Sequence, residues 1–195
     1  MTRMTCVSGA LAAALAAAAN AAIVTTSSEV AFSSIAQANG YSQNVSFSGF
    51  TTTSGGSGWN AWEATSSFGA EAFQGYLRPI FPDEALTISF APGAVYAVGG
   101  NFFNTTTDGQ VMASSLIEIT LADGSSYVSQ SSATNFAGFV STGGAISSIR
   151  IAPAFAGPDD FPHATVGRLV LASVPSPGSL ALLATAGFAA RRRRR

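Results

Sequence analysis

The chain contains no lysine, one cysteine and one histidine, and charged residues make up only 10% of it. Its positive charge comes entirely from arginine, and Arg3 and Arg191–Arg195 place most of that charge at the two ends. Residues 22–173 keep three arginines against ten acidic residues. This balance argues against nucleic-acid binding, because cationic side chains must neutralise the backbone phosphates.

The scarcity of cysteine and histidine excludes several kinds of catalytic site. Cys6 lies near the start, so the rest of the chain has no disulfide, no thiol nucleophile and no cysteine-based metal site. His163 ends a proline-bounded segment, 157–163, and no G-x-S-x-G elbow supplies a serine nucleophile. We therefore predict an exposed loop histidine and a protein that is not an enzyme. A glycosidase would need two carboxylates about 5–10 Å apart, and the sequence leaves open where the candidates lie: Glu63, Glu71 and Glu118.

The first 21 residues have the pattern of a secretory signal peptide. Arg3 supplies a positive start, residues 7–19 are alanine-rich and apolar, and Ala19-Asn20-Ala21 resembles a small-residue cleavage site. We expect cleavage after Ala21 and export of the chain from Ala22 onward. Residues 22–173 are enough for one domain with a sizeable core and too few for two.

The other end of the chain, residues 174–195, has three parts in order. A proline motif is followed by an uncharged run over 179–190 and then by five arginines. A helix over 179–190 would be about 18 Å long at about 1.5 Å per residue, less than the hydrocarbon core of about 30 Å. This predicts a short, transient membrane anchor whose basic end stays in the cytoplasm. The anchoring side chains are Leu180, Leu182, Leu183 and Phe188, and the stop-transfer residues are Arg191, Arg192, Arg193, Arg194 and Arg195.

This three-part tail resembles the PEP-CTERM sorting signal of bacterial exosortase systems. The motif stands here as Val174, Pro175, Ser176 and Pro177, with serine where the family usually has glutamate. The resemblance implies recognition by an exosortase-like processing enzyme. It also implies a place in the cell envelope, on the cell surface or in the extracellular polysaccharide matrix of a bacterium.

Between the two signals the pattern is that of β-strands. Short runs alternate apolar and polar residues, and no window shows a clean helical stripe. Residues 116–121 and 127–128 flank an Asp-Gly turn and predict a β-hairpin. Some ten short strands at this spacing predict an all-β fold, a single jelly-roll-like β-sandwich. The other predicted strands cover 29–32, 45–50, 86–90, 95–98, 136–140, 146–151 and 166–171.

The second half of this region, about 94–172, resembles the jelly-roll ectodomains found in PEP-CTERM proteins, which are similar in fold to lectin-like modules. That resemblance keeps open an alternative function as a carbohydrate-binding module of the exopolysaccharide matrix. Sugars stack on exposed aromatic rings, and the candidate residues are Trp59, Trp62 and Tyr76. On one strand, Trp59 and Trp62 would point to opposite faces, so only one of them can be in the core. The other is either an exposed indole or a ring that covers the sandwich edge or packs under a loop.

No cofactor is expected, with calcium as the only candidate ion. Asp159 and Asp160 are adjacent carboxylates in a loop, and calcium prefers oxygen ligands. No Asp-x-Asp-x-Asp loop accompanies them.

Overall fold

The domain consists of two antiparallel β-sheets packed face to face. The computed structural model describes residues 22–155 and 161–174. Within them, an α-helix, α1 (Glu29–Ala38), follows the first strand and a 3₁₀ helix (Gly58–Asn60) precedes the fourth. The strands are, in chain order, β1 (Ile23–Thr26), β2 (Gln43–Ser48), β3 (Ser54–Gly55), β4 (Trp62–Thr65), β5 (Ala70–Phe73), β6 (Tyr76–Pro79), β7 (Leu86–Phe90), β8 (Ala97–Thr105), β9 (Leu116–Leu121), β10 (Ser126–Gln130), β11 (Phe136–Ser141), β12 (Ser148–Phe155) and β13 (His163–Ser173).

The larger sheet has the order β1-β11-β8-β13-β6-β5, and β2 also pairs with β13. The smaller sheet has the order β10-β9-β12-β7-β4-β3. All of these pairings are antiparallel. The predicted all-β sandwich is confirmed.

Alternation along the strands of the smaller sheet builds the main core. In β7, Leu86, Ile88 and Phe90 are buried, whereas Ser89 between them is exposed. Since successive residues of a strand point to opposite faces, each such strand buries one face and leaves the other in solvent. Fully burying one aliphatic side chain stabilises the fold by about 1.5–3 kcal/mol. The same pattern buries Ile117, Ile119 and Leu121 of β9 and Ile149 and Ile151 of β12.

The predicted hairpin is confirmed as β9 and β10, which pair from Ser126–Thr120 to Gln130–Leu116. Gly124 has a φ of +87°, a conformation that glycine adopts readily. Hydrogen bonds from the hydroxyl and backbone N–H of Ser125 to the Asp123 carboxylate lower the pKa of Asp123.

The predicted strand at 29–32 is wrong, because these residues begin α1. Ser28 caps the helix by accepting the Ala31 N–H, and Glu29 lies in the first turn. Phe32 and Ala36, four residues apart, form the buried face of the helix. They pack on the outer face of the larger sheet, in a second apolar cluster with Val140 and Val170. Four residues of alternating hydropathy fit a strand as well as a helix, so docking on the sheet decides between them.

The last strand, β13, lies inside the larger sheet, with β8 on one side and β2 and β6 on the other. A β-bulge interrupts its pairing with β8 between Val166 and Arg168. The strand ends at Ser173, whose hydroxyl donates to the carbonyl of Ala94. The strand therefore leads directly to Val174, the first residue of the proline motif.

Several predicted features lie outside the described residues: the signal peptide at 1–21, Asp159 and Asp160, and the tail from Pro175 to Arg195. Across 22–155 and 161–174, no helix combines the length and the hydropathy needed to cross a membrane.

Candidate functional site

An open depression of about 520 Å³ lies at the edge of the smaller sheet, beside β3, β4, the end of β7 and a glycine-rich segment at 54–58. This volume is within the range of about 300–1,000 Å³ found for small-molecule sites. Its lining consists of Ser54, Gly55, Gly56, Ala61, Trp62, Glu63, Ser89, Phe90 and Ala91.

Strand register places three polar side chains of this lining in one row. Ser54 of β3 pairs with Glu63 of β4, and Glu63 pairs with Ser89 of β7. Paired residues of neighbouring strands lie on the same face of a sheet, about 4.8 Å apart from strand to strand. All three residues are exposed. The row therefore presents one carboxylate between two hydroxyl groups.

Trp62 is the tryptophan that lies in the core, so its ring is not available to stack on a sugar as predicted. Trp62 is only 5% exposed and packs edge-to-face against Phe50, with ring centroids 5.4 Å apart, and against Phe47 at 5.8 Å. Gly55 makes room for it, since a Cβ at Gly55 would lie 2.7 Å from Cζ2 of the indole. The indole Nε1–H is buried with no acceptor among the described residues. Such an unsatisfied donor costs about 1–3 kcal/mol.

Trp59 and Tyr76 do not lie on the same strand as Trp62. Trp59 belongs to the 3₁₀ helix, is half-buried and packs against the main core. Tyr76 lies on β6 of the larger sheet and contacts Phe103 edge-to-face, with centroids 5.3 Å apart. The two tryptophans thus flank the same corner of the smaller sheet, whereas Tyr76 belongs to the other sheet.

His163 is a core residue, and the prediction of an exposed loop histidine is wrong. It begins β13 and is 1% exposed. Its Nδ1 lies 3.0 Å from the carbonyl oxygen of Pro79 and must donate to it, since a carbonyl only accepts. Nε2 is buried without a partner among the described residues. Burial, the main cause, lowers the pKa of His163.

The neighbourhood of His163 contains a partly buried polar cluster of the larger sheet, centred on Arg78. The Arg78 guanidinium is 2.8 Å from the Glu71 carboxylate and lies 3.5 Å above the Phe73 ring. It also donates to the carbonyls of Thr106 and Thr107. The hydroxyl of Thr165 bonds to the backbone carbonyl of His163 rather than to its imidazole. This arrangement is typical of structural packing, and within 22–155 and 161–174 no hydroxyl group bonds to the histidine ring.

The buried, neutral state of His163 makes folding stability depend on pH. The unfolded histidine takes up a proton below about pH 6.5, whereas the folded one resists it, with Glu71, Asp83 and Arg78 as its charged neighbours. The free energy of unfolding should therefore have its full value above about pH 6.5. Below that pH it should fall by up to about 1.4 kcal/mol per pH unit, until the pH reaches the lowered pKa of the folded histidine.

Urea unfolding between pH 5.5 and 8 measures this effect, and His163→Asn is the matched variant. Asparagine keeps a donor near the Nδ1 position for the Pro79 carbonyl and does not titrate. The variant should lose most of the pH dependence in this range. Equal pH dependence in the two proteins would contradict the assignment.

Metal binding has no support within residues 22–155 and 161–174, where no three His, Cys, Asp or Glu side chains converge. The calcium prediction for Asp159 and Asp160 falls outside these ranges and stays a prediction.

Comparison with known proteins adds a distant likeness. No protein-family profile and no curated protein matches the chain. A solved structure, a family two carbohydrate esterase from Cellvibrio japonicus, is similar over 69% of this chain, with 10% sequence identity and a TM-score of 0.41. The match covers 36% of that protein, so this chain spans about a third of its length.

Proposed function

We propose that this protein is an exported, non-enzymatic component of the bacterial cell surface or extracellular matrix, sorted and processed by an exosortase-like enzyme. The observation that carries the proposal is the position of the tail. The last described strand, β13, ends at Ser173, and the motif Val174-Pro175-Ser176-Pro177 follows it at once in the sequence. The processing enzyme would therefore find its recognition motif immediately after a strand that is held in the sheet.

The arrangement of the ionisable groups supports a non-enzymatic role. Glu71 is held by Arg78, and His163 is buried against Pro79. Glu63 and Glu118 lie on β4 and β9, with β7 and β12 between them. Three strand spacings alone separate them by about 14 Å, more than the limit of about 10 Å for a glycosidase pair.

Mass spectrometry of the mature C-terminus tests the sorting proposal. The surface-exposed protein from a host with an exosortase should lack Arg191–Arg195, because the tail is removed during processing. Deleting the exosortase gene, or changing Pro175 and Pro177 to alanine, should leave the full tail in place. Ser176→Glu is the matched control and should preserve processing, since it restores the usual family residue. A surface-exposed protein that still ends at Arg195 would overturn the proposal.

A second candidate function, binding to saccharides of the matrix, is favoured by the depression at the edge of the smaller sheet. Its lining combines a carboxylate with hydroxyl groups, which are the groups that hydrogen-bond to sugar hydroxyls. This candidate is compatible with sorting to the same matrix.

A further inference from the structure

We propose that the depression at Ser54, Glu63 and Ser89 is a binding site for saccharides that carry no acidic groups, and that it favours amine-bearing sugars. The inference rests on the second candidate function and adds the site and the chemistry of the ligand. In this arrangement the Glu63 carboxylate accepts hydrogen bonds from sugar hydroxyl or ammonium groups. The two serine hydroxyls, one strand away on either side, donate or accept as the sugar requires.

The charge of the lining selects against acidic sugars. Among the residues that the structure describes, Glu63 is the one charged residue of the lining. The ion pairs in the described part of the chain are Arg78–Glu71 and Arg168–Glu29, so the Glu63 carboxylate has no cationic partner there. A uronic acid or a sulfated sugar would place like charges together, which is unfavourable. An ammonium group would instead form a charge-assisted hydrogen bond, stronger than a bond between neutral groups.

A bare cation fits this site poorly. Calcium takes six to eight oxygen ligands, and the depression offers a single carboxylate with two hydroxyl groups. A ligand that brings its own hydroxyl groups matches that donor set better.

Addition of a peptide strand also fits poorly. β3 is the edge strand of the smaller sheet, and it is only two residues long. Strand addition depends on a series of main-chain hydrogen bonds along an exposed edge. Two residues supply too few such bonds.

The position of the two tryptophans gives the site a direct signal. The chain has two tryptophans, Trp62 in the lining and Trp59 in the adjacent 3₁₀ helix. A saccharide bound in the depression should change the surroundings of Trp62, so intrinsic fluorescence reports occupancy without a label.

The experiment titrates the purified mature protein with three hexasaccharides: the glucosamine hexamer, cellohexaose and hexagalacturonate. Tryptophan fluorescence and isothermal titration calorimetry are read in parallel. The glucosamine hexamer should bind most tightly, cellohexaose should bind more weakly, and hexagalacturonate should not bind. Glu63→Gln should weaken binding of the glucosamine hexamer about tenfold or more and that of cellohexaose only a few-fold. Since Glu63 is exposed, the variant should keep the thermal stability of the unaltered protein.

Glu118→Gln is the matched control. Glu118 points to the same outer face of the smaller sheet, on β9, away from the depression. The Glu118→Gln variant should bind the glucosamine hexamer and cellohexaose with unchanged affinity. Unchanged affinities in Glu63→Gln would overturn the site and its chemistry. Binding of hexagalacturonate as tight as that of the other two hexamers would overturn them too. Absence of binding to any hexamer would overturn the site and the saccharide function together, and the sorting proposal would still be decided by the mature C-terminus.

Discussion

Changing Gly100 to alanine is expected to lower the free energy of unfolding by about 3 kcal/mol, the upper end of typical overpacking effects. A Cβ at this position would lie 2.1 Å from the carbonyl oxygen of Arg168 and 3.0 Å from Cζ of Phe102. The obstacle is backbone, and it belongs to the strand that carries the bulge between Val166 and Arg168. β8 is held by β11 on its other side, so it has little freedom to move away.

Urea or thermal unfolding followed by circular dichroism measures this change. A loss of about 3 kcal/mol corresponds to a fall of about 6–12 °C in Tm for a domain of this size. Gly144→Ala is the matched control, because a Cβ at Gly144 would meet nothing within 4 Å and its φ is not positive. Gly144→Ala should change the stability by less than about 1 kcal/mol. Equal effects of the two substitutions would contradict the close approach of β8 and β13 at Gly100.

Changing Phe32 to alanine is expected to lower the free energy of unfolding by about 3–5 kcal/mol, as for other buried aromatic residues. Phe32 is fully buried between α1 and the larger sheet. Its ring packs edge-to-face on Phe136, with centroids 5.5 Å apart, and covers Gly138, where a Cβ would lie 2.6 Å from Cδ2 of the ring. The substitution removes the main apolar anchor of the helix.

Part of this loss should appear as local undocking of α1. Hydrogen exchange would then increase first for the amides of 29–38, since the helix can open without the main core. The remaining anchor at its start is the pair of hydrogen bonds, each 2.7 Å, from Arg168 to Glu29. Val30→Ala is the control on the same helix, because Val30 is 77% exposed. It should change the stability by no more than about 0.5 kcal/mol, and a comparable loss in Val30→Ala would contradict the docking.

The parts of the fold that depend on residues close together in the chain could be predicted from the sequence. The β9–β10 hairpin is one example, because Asp123-Gly124 favours a tight turn and the flanking residues alternate in hydropathy. Residues 86–90 are another, since their alternation matches β7. The prediction fails at 29–32, where the same short alternation fits the first turn of a helix. Only the apolar outer face of the larger sheet, which buries Phe32 and Ala36, selects the helix.

The candidate site could be predicted only in fragments. Glu63 is a candidate carboxylate and Trp62 a candidate aromatic residue by sequence, but Ser54 and Ser89 carry no signal of their own. They meet Glu63 through the register of three strands. The burial of His163 escapes prediction for a similar reason. The preceding prolines and aspartates are typical of a loop, whereas its hydrogen-bond partner Pro79 lies on another strand.

The sequence by itself determined the β class of this protein, its acidic lysine-free domain, and the two terminal patterns that point to export and sorting. These follow from composition and from residues close together in the chain, where alternation, turn residues and charge act locally. Only the tertiary structure decided which residues share a face. It buried His163 and Trp62, docked α1 on the larger sheet, and aligned Ser54, Glu63 and Ser89. The physical reason is that strand register and burial depend on hydrogen bonds and packing between segments that are distant in the chain.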